Sequence, residues 1–468
     1  MRVHHISAEC FPLAKVGGLA DVVGALPKYQ NSAGAKSSVI MPYYDLPQLK
    51  SLSLKTLHKG NVQLGKTSYH FKVRSPKRNV LGFKLLLIDI PDLLYKPYVY
   101  SEDDGEKFLA FQLAALDYLI EQNTLPNVIH CHDHHTGLIP FMMSHCHKYK
   151  RLKEVPSVFT IHNAQYQGWM SHKKDNLIPK YNKAHSGLLD WDNSINPLAT
   201  AIKCAWRVTA VSKTYLDELK VKANGLESLI RAESKKCVGI LNGIDTTSWD
   251  PESDGFLVKN FTRNSVQSGK KANKKWLCNE FGLDKKLPLV VFIGRLVGEK
   301  GADLFSGAIE ATLVKTAVSL LFLGSGSKEV EKELTELKEK YNGVYNAVIG
   351  YDEALAHKMY AGGDFLLMPS RVEPCGLNQM YAMRYGTVPI VSTVGGLKDT
   401  VKDISKKGGN GICLKDISSK SIAKGIKRAV KFYSDKEKFR KTRRSIMNID
   451  HSWDVSAKKY LELYKSLV

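Results

Sequence analysis

The sequence predicts an α/β protein of two serial domains, each with a parallel sheet covered by helices. Three observations support this fold class. At 468 residues, the chain is longer than the roughly 250–300 residues at which a single hydrophobic core stops growing. Short apolar runs alternate with longer helical patterns, which is typical of parallel strands joined by helical crossovers. The alternation starts again in the second half of the chain, so two Rossmann-like units are expected.

Strands are predicted from apolar, β-branched runs and helices from apolar residues at helical spacing. In the first half, strands are predicted at 3–7, 37–41, 128–132, 157–162, 207–211 and 237–241, and helices near 20–30, 106–122, 136–149, 196–205 and 213–220. Residues 57–90 look like antiparallel strands, and residues 165–193 look like a loop-rich insertion. In the second half, strands are predicted at 287–294, 319–323, 347–350, 365–369, 388–391 and 411–414.

Turn signals separate the two halves. Asn242-Gly243 and, a few residues later, Asp250-Pro251 belong to segments that favour turns. The tail has apolar residues at helical spacing from Ala457 to Tyr464, which predicts a terminal amphipathic helix. The predicted organisation is therefore an N-terminal domain over 1–245, a C-terminal domain over 246–451 and a terminal helix over 452–468.

Composition and charge exclude several classes of protein. The chain has 68 Lys and Arg residues against 46 Asp and Glu residues, a formal net charge of +22. The lysines are spread along the chain, and no zinc-finger, RNA-recognition or basic-zipper pattern accompanies them, so no nucleic-acid partner is expected. The eight cysteines form no Cys-x-x-Cys pair, which favours reduced thiols. The N-terminus lacks a long apolar segment, and no stretch approaches a membrane span, so we expect a cytoplasmic protein without a membrane partner.

Two Gly-Gly segments each follow a predicted strand and open a predicted helix: Val16-Gly17-Gly18-Leu19 and Val394-Gly395-Gly396-Leu397. Paired glycines let the backbone approach a ligand closely, and a helix N-terminus offers free N–H groups to an anion. One copy alone could equally be a tight strand-to-helix turn. Two copies, one in each half, favour two walls of one anion-binding cleft.

Charged residues follow two predicted strands of the second half. Glu373-Pro374 stands after the strand at 365–369, at the edge where open α/β sheets bind ligands. Glu-Pro also starts ordinary helices, so this pair alone leaves both interpretations open. Arg295 and Lys300 follow the strand at 287–294 and lie on one loop, so both cations can face one anion. A planar guanidinium with a compact ammonium suits a diphosphate.

Histidines mark two strand ends in the first half. His162 ends one predicted strand, where it could either reach a ligand or complete the core. His130, His132 and Asp133 belong to a His-rich run that comes close to a metallo-hydrolase pattern, but the Asp falls one place early. Asp190-Trp191-Asp192 spells the Asp-x-Asp of metal-dependent glycosyltransferases, a pattern too short to count. We therefore predict that no metal is bound.

Together these segments resemble one family, the bacterial and plastid-type glycogen/starch synthases. In order and spacing the resemblance covers essentially the whole chain. It runs through Lys15-Val16-Gly17-Gly18-Leu19, His132-Asp133, Thr160-Ile161-His162-Asn163, Asn242-Gly243-Ile244-Asp245, Gly294-Arg295-Leu296, Glu299-Lys300-Gly301, Glu373-Pro374-Cys375-Gly376-Leu377 and Val394-Gly395-Gly396-Leu397.

The resemblance implies a GT-B fold, in which two Rossmann-like domains face each other across a deep cleft and the terminal helix crosses back to the first domain. It further implies transfer of glucose from ADP-glucose to the non-reducing end of an α-1,4-glucan, with retention of configuration and without a metal cofactor. The first domain would lie on the acceptor side and the second on the nucleotide-sugar donor side.

The resemblance also implies roles for individual residues. Arg295 and Lys300 would neutralise the departing diphosphate, Glu373 would hold the glucose hydroxyls and stabilise the transition state, and His162 would bond the 6-hydroxyl region. Asp133 would be the fifth catalytic residue. It would lie on the acceptor side, together with Asn163 and His134. The donor would be bound by Lys15, Gly17, Gly18, Asp21, Asn242, Tyr351, Cys375, Gly376, Leu377 and Asn378.

Two positions depart from the family pattern. His134 stands where Trp is common, which could change how an acceptor stacks, and Asn378 stands where Thr is usual. The sequence leaves open ADP-glucose against UDP-glucose, primer length, oligomeric state and regulation. Two other classes also remain: a GT-B enzyme with a different acceptor, and a non-catalytic glucan- or polyanion-binding protein.

Overall fold

The computed structural model describes residues 1–102 and 104–468. These residues form two compact units. The first consists of Met1–Gly243 together with Trp453–Val468, and the second of Ile244–Ser452. Over the described ranges, no helix is both long and apolar enough to cross a membrane.

The first unit is built on one large mixed sheet. Its strands, in spatial order, are β11-β10-β7-β6-β1-β2-β5-β4-β3; β3 pairs antiparallel with β4 and β4 with β5, whereas the remaining pairs are parallel. The strands are β1 Arg2–Ile6, β2 Lys36–Pro42, β3 Leu54–Leu64, β4 Thr67–Pro76, β5 Lys84–Asp89, β6 Val128–His132, β7 Ser157–Ile161, β8 Asp190–Trp191, β9 Ser194–Ile195, β10 Arg207–Ala210 and β11 Cys237–Gly239, of which β8 and β9 form a separate antiparallel pair.

Helices cover this sheet and form its crossovers. They are α1 Gly18–Ser32, α2 Pro47–Lys50, α3 Gly105–Ile120, α4 Ile139–His145, α5 Pro197–Cys204, α6 Lys213–Leu219 and α7 Glu227–Ala232, with 3-10 turns at His134–Thr136, His147–Leu152, His172–Leu177, Lys183–Leu188 and Ser234–Lys236. The central strands β6 and β7 are buried along their whole length. Burial on both faces explains why these strands read as continuous apolar runs in the sequence.

The second unit is a parallel sheet in the spatial order β14-β13-β12-β15-β16-β17. Its strands are β12 Leu289–Ile293, β13 Ser319–Gly324, β14 Tyr345–Ile349, β15 Phe365–Met368, β16 Val388–Val391 and β17 Ile412–Cys413. Its helices are α8 Val266–Glu280, α9 Phe305–Leu313, α10 Lys328–Lys340, α11 Glu353–Gly362, α12 Asn378–Arg384, α13 Gly395–Thr400, α14 Ser419–Ser434 and α15 Lys436–Ile446, with 3-10 turns at Gly298–Lys300 and Ala302–Leu304. Because β12 and β15 are neighbours, the loops at their carboxyl ends share one edge of the sheet.

The last helix, α16 Trp453–Lys465, belongs to the first unit. Its apolar face packs into the cluster that contains Leu26 and Tyr29 of α1, with Trp453, Tyr460 and Tyr464 all buried. The Oγ atom of Ser456 also donates a hydrogen bond to the carbonyl of Leu241 at 2.6 Å. The predicted α/β fold class and the return of the terminal helix to the first unit are confirmed.

The predicted helix at 136–149 is wrong. The structure divides this segment into a 3-10 turn, the short helix α4 and another 3-10 turn. Pro140 stands in the first turn of α4, and the helix stops before Cys146, whose backbone is extended. A side chain on Gly137 would lie 2.3 Å from the carbonyl oxygen of Pro197. Close packing against the start of α5 therefore sets the local backbone more strongly than helical spacing does.

Candidate active site

Two predicted site residues of the first unit meet where β6 and β7 end. The amide of His162 donates a hydrogen bond of 2.7 Å to Oδ1 of Asp133. Asp133 has a positive φ of 57°, and its own amide donates to the carbonyl of Thr160 at 3.0 Å. A non-glycine residue in this conformation is uncommon and is typical of functional turns. The two strand ends therefore hold the Asp133 carboxylate against the His162 backbone.

Burial perturbs both titratable groups. Burial, with a smaller contribution from the nearby Glu9 carboxylate, raises the pKa of Asp133 to about 7, although the backbone amides of the 162–163 segment act to lower it. Burial lowers the pKa of His162 to about 3. At neutral pH the imidazole is therefore uncharged and Asp133 is poised to exchange a proton.

The acceptor-side candidates occupy the loop next to this pair. Oδ1 of Asn163 accepts the amide of Gln165 at 3.0 Å, which fixes the turn that follows β7. His134 begins a 3-10 turn, and burial lowers its pKa to about 4. A side chain added to Gly168, which has a φ of +73°, would lie 2.6 Å from the His134 ring. The imidazole thus packs beneath the loop that Asn163 begins.

A carboxylate that was not predicted from the sequence binds the backbone of the Lys15 loop. Oε2 of Glu9 accepts the amides of Val16 and Gly17 at 2.6 and 2.9 Å, and Oε1 accepts the Tyr100 hydroxyl at 2.5 Å. Glu9 is 3% exposed. Its sequence signal was an acidic residue three positions after β1, at the same sheet edge as Asp133. Glu9 therefore anchors the loop that presents Lys15.

The side chains of this loop remain near the surface. Nζ of Lys15 lies 2.7 Å from Oδ1 of Asp21, in an ion pair whose side chains are 38% and 23% exposed. Gly17 caps α1 and Gly18 begins it. A Cβ atom added to either glycine would meet no described atom within 4 Å. Ligand atoms could thus approach this backbone as the first Gly-Gly segment predicts.

The second unit brings Lys300 and Glu373 together. Nζ of Lys300 lies 2.6 Å from Oε2 of Glu373, although the residues are 73 positions apart. The Oγ of Ser370 donates to the same carboxylate oxygen at 2.8 Å. Ser370 was also not predicted from the sequence, although it follows β15 closely. The side chain of Glu373 is 8% exposed and that of Lys300 is 23% exposed, so the carboxylate is nearly buried at the sheet edge.

Arg295 is more open than Lys300. Its Nη2 atom lies 3.2 Å from Oε2 of Glu299, and 59% of its side chain is exposed. Oε1 of Glu299 is buried without a hydrogen-bond partner among the described residues, and its carbonyl accepts the amide of Arg371 at 2.7 Å. Glu299 thus joins the Arg295 loop to the loop that carries Glu373. Arg295 and Lys300 therefore have separate acidic partners on one edge of the sheet.

The second Gly-Gly segment has a structural reason that differs from the ligand approach predicted for it. A Cβ added to Gly395 would lie 2.0 Å from the carbonyl oxygen of Glu373, and one added to Gly396 would lie 1.9 Å from that of Cys375. The Gly396 amide already donates to the carbonyl of Glu373 at 3.1 Å. These glycines therefore allow the start of α13 to press against the 373–375 loop.

The remaining donor candidates of this loop shape its backbone. Gly376 has a φ of +69°, and Leu377 caps α12. Nδ2 of Asn378 donates to the carbonyl of Ile293 at 2.8 Å, so this residue ties the end of β12 to the start of α12. Cys375 is 5% exposed.

The last two donor candidates are Asn242, at the end of the first segment of the first unit, and Tyr351 of the second unit. Oδ1 of Asn242 is buried and has no hydrogen-bond partner in the described part of the chain. Tyr351 follows β14, is 77% exposed, and donates its hydroxyl to Oε2 of Glu353 at 3.0 Å. The assignment of both residues to the donor pocket stays a prediction.

One buried group of histidines is close enough together to hold a metal ion: His5, His130 and His132, on β1 and β6. Each of their ring nitrogens already has a hydrogen-bond partner in the structure. The partners include side-chain oxygens of Gln30 and Thr160. An ion could enter only by breaking these hydrogen bonds.

Two α/β units, one built on a mixed sheet and one on a parallel sheet, each carry acidic and basic side chains at their strand ends, and this combination is typical of one class of protein, the glycosyltransferases with the GT-B fold. Residues 2–232 match the family model described as starch synthase catalytic domain, and residues 275–445 match that of glycosyl transferases group 1. A glycogen synthase from Flavobacterium johnsoniae is 50% identical, with 100% of this chain and 99% of that protein covered. One from Streptococcus sanguinis is 37% identical, with both chains covered completely. The chain belongs to the glycogen synthase family.

Solved structures agree with this assignment. The catalytic domain of starch synthase IV from Arabidopsis thaliana, bound to ADP and acarbose, superposes with a TM-score of 0.91 at 34% identity, covering 100% of this chain and 99% of that one. Sucrose-phosphate synthase from Thermosynechococcus elongatus has a TM-score of 0.64 at 17% identity, covering 100% and 98%. The second similarity supports the fold alone.

Proposed function

We propose that this glycosyltransferase transfers glucose from ADP-glucose to the non-reducing end of an α-1,4-glucan, with retention of the α configuration. One observation carries the proposal: a nearly buried Glu373 carboxylate held by Lys300 and Ser370 at the carboxyl end of β15. Relatives named glycogen synthase support the reaction, and the similar starch synthase was solved with ADP and acarbose.

The chemistry requires charge stabilisation at two places. The bond between the anomeric carbon and the diphosphate oxygen breaks, and its electron pair leaves with ADP, so negative charge grows on the diphosphate. Lys300 and Arg295 are the cations assigned to that charge. Positive charge grows on the sugar ring, and Glu373 is the carboxylate assigned to it and to the glucose hydroxyls. Retention requires the glucan hydroxyl to attack from the face that ADP leaves, so the departing phosphate oxygen can take its proton.

The first unit supplies the other proposed roles. His162 accepts a hydrogen bond from the 6-hydroxyl region of the glucose, and Asp133 orients the acceptor with Asn163 and His134. Lys15 and the Gly17-Gly18 backbone contact the donor, with Asp21 holding the lysine by its ion pair. The open space around the two glycines supports this assignment.

Some residues of the proposed donor pocket shape its backbone, and others are assigned to it through their side chains. Gly376, Leu377 and Asn378 shape the loop after Glu373. Asn242 is supported by its buried, unpartnered side-chain oxygen. Cys375 and Tyr351 complete the set. The division of roles between an acceptor domain and a donor domain is part of the same proposal.

The proposal includes activity in the cytoplasm without a metal ion, a nucleic-acid partner or a membrane. Arg295 and Lys300 take the electrostatic place that a divalent ion would otherwise have. Activity that survives EDTA is therefore expected. Strict dependence on an added divalent cation would contradict this part.

One assay tests the function directly. Purified protein is incubated with a short maltodextrin and with either ADP-glucose or UDP-glucose, and nucleotide release is followed. We expect ADP release, with ADP-glucose preferred, and new α-1,4 linkages in the proton NMR spectrum of the product. β-linked product would contradict retention. Failure to consume either donor would leave a non-catalytic glucan-binding protein as the better description.

A further inference from the structure

A chain of buried side chains leads from His162 into the first unit, and we name it the histidine chain. Nε2 of His162 lies 3.0 Å from Nδ1 of His132. Nε2 of His132 lies 3.0 Å from Nδ1 of His5. Nε2 of His5 lies 2.8 Å from Oε1 of Gln30. The last three side chains are completely buried, and the proposed function assigns no role to them.

The imidazoles of the histidine chain are neutral. Burial lowers the pKa of His5 to about 4 and that of His162 to about 3, and it lowers the pKa of His132 well below the ordinary value for histidine. A neutral imidazole has one N–H donor and one acceptor nitrogen. Each ring in the chain must therefore donate at one nitrogen and accept at the other.

These constraints give the chain a direction. Oε1 of Gln30 can only accept, so Nε2 of His5 carries a hydrogen and Nδ1 of His5 accepts. Nε2 of His132 must then donate to His5, which leaves Nδ1 of His132 as an acceptor. Nε2 of His162 in turn donates to His132. The remaining nitrogen of His162, Nδ1, is left with its lone pair.

Two hydroxyl groups complete the hydrogen bonds of the Gln30 amide in the orientation that sets this direction. Oε1 also accepts the hydroxyl of Ser37 at 2.6 Å, while Nε2 donates to the Tyr464 hydroxyl at 3.2 Å. That hydroxyl is 2.6 Å from Nδ1 of His130, to which it can donate. A reversed amide would present N–H to His5 and would reverse every proton position as far as His162. Helix α1, which carries Gln30, and the terminal helix α16, which carries Tyr464, therefore both contribute to the hydrogen bonds at this end of the histidine chain.

The end of the chain is open to a ligand. Nδ1 of His162 has no hydrogen-bond partner among the described residues. It is nevertheless not among the fully buried polar atoms of the described residues that lack a partner, so part of this nitrogen is accessible. A lone pair at that position accepts a hydrogen bond from a hydroxyl, but it cannot donate a hydrogen bond to an acceptor such as a phosphate oxygen.

We propose that Gln30 is a positioning residue that, through His5 and His132, holds His162 in the Nε2–H tautomer, so that Nδ1 accepts a hydrogen bond from a substrate hydroxyl. The identity of that hydroxyl rests on the proposed function, in which it belongs to the donor glucose. The tautomer itself does not depend on the reaction. Gln30 acts without touching the substrate.

Nitrogen NMR of the full-length, 15N-histidine-labelled protein tests the tautomer. The His162 signals are assigned by their loss in His162→Gln. We expect a protonated Nε2 and an unprotonated Nδ1 in the wild-type protein. Gln30→Met, which keeps the side-chain volume but removes the amide, should give a mixture of tautomers, and His5→Phe should do the same. Ser37→Ala is the matched control, because it removes one donor to Gln30 but keeps the Tyr464 contact.

Kinetics give the second measurement. Gln30→Met should lower kcat with ADP-glucose about tenfold, the equivalent of one hydrogen bond, while KM for the maltodextrin stays unchanged and Ser37→Ala keeps wild-type values. Thermal unfolding identifies any variant that fails to fold. A wild-type His162 protonated at Nδ1, or an unchanged tautomer in both Gln30→Met and His5→Phe, would overturn the proposal. Because the NMR result needs no turnover, an inactive protein with the expected tautomer would contradict only the proposed function.

Discussion

Replacing Lys300 by methionine should reduce stability and activity through two separable effects. The substitution removes a cation 2.6 Å from a carboxylate that is 8% exposed, and it leaves that carboxylate with the Ser370 hydroxyl. Hydrogen bonds to charged groups contribute about 1.5–3 kcal/mol, and breaking a fully buried ion pair costs about 3–5 kcal/mol. Because Lys300 is 23% exposed, we expect a loss of about 2 kcal/mol, or about 4–8 °C in Tm for a unit of about 200 residues.

Glu373→Gln and the double variant separate the ion pair from catalysis. Glu373→Gln leaves Lys300 partly solvated, so its cost in stability should be below about 1 kcal/mol. The double variant Lys300→Met with Glu373→Gln should be more stable than the sum of the single losses by about 1–2 kcal/mol. All three variants should lose activity, by about 2–4 kcal/mol of transition-state stabilisation, or about 30- to 1,000-fold in kcat/KM.

Scanning calorimetry and kcat/KM for ADP-glucose measure the two effects on the same samples. Additive stability losses would show that the 2.6 Å contact has no energetic coupling. A near-normal kcat/KM in Lys300→Met would show that this lysine has no role in the reaction. A double variant that regains activity along with stability would mean that the ion pair serves folding alone.

Three further predictions follow from the structure. Lys15→Ala should change Tm little, because its ion pair is exposed, yet lower kcat/KM for ADP-glucose, with losses that are not additive with Lys300→Met; normal kinetics would exclude Lys15 from the site. Burial raises the pKa of Asp133 to about 7, so the folded protein keeps a proton that the unfolded chain releases near pH 4. The free energy of unfolding of the wild-type protein minus that of Asp133→Asn should fall by about 1.4 kcal/mol per pH unit between about pH 4 and about pH 7, and it should be constant above pH 7. Parallel pH profiles of the two proteins would contradict this prediction. Gly396→Ala should destabilise by about 1–3 kcal/mol or more, since its Cβ would lie 1.9 Å from a carbonyl oxygen, whereas the matched Gly18→Ala should unfold normally and lose donor activity; equal Tm values for both would refute the packing argument.

Much of the fold could be predicted because parallel strands leave a local signal. The run at 128–132 coincides with β6, and the run at 388–391 coincides with β16. Both strands are buried on their two faces, so apolar content alone identifies them. The helix expected at 136–149 failed because helical spacing carries no information about the Gly137 contact with Pro197. Contacts between distant segments overrode the local pattern there.

The candidate site was predictable in part for the same reason. Residues such as His162 and Glu373 follow buried strands, and the ends of parallel strands share an edge. Glu9 and Ser370 follow strands too, but they were missed because nothing in their neighbourhood indicates what they hold. Glu9 binds the amides of a loop seven and eight positions away. The partner of each group becomes visible only in the folded chain.

Local features of the chain were enough to predict the positions of most strands, the division into two α/β halves and the residue types at the strand ends. These depend on hydrophobic periodicity and turn chemistry, which act over a few neighbouring residues. The pairing of Lys300 with Glu373, the close approach of carbonyl groups to Gly395 and Gly396, and the place of Gln30 at the end of a histidine chain depend instead on contacts between distant segments. Hydrogen bonds and burial depend on distances in space, and residues 73 positions apart can be 2.6 Å from each other.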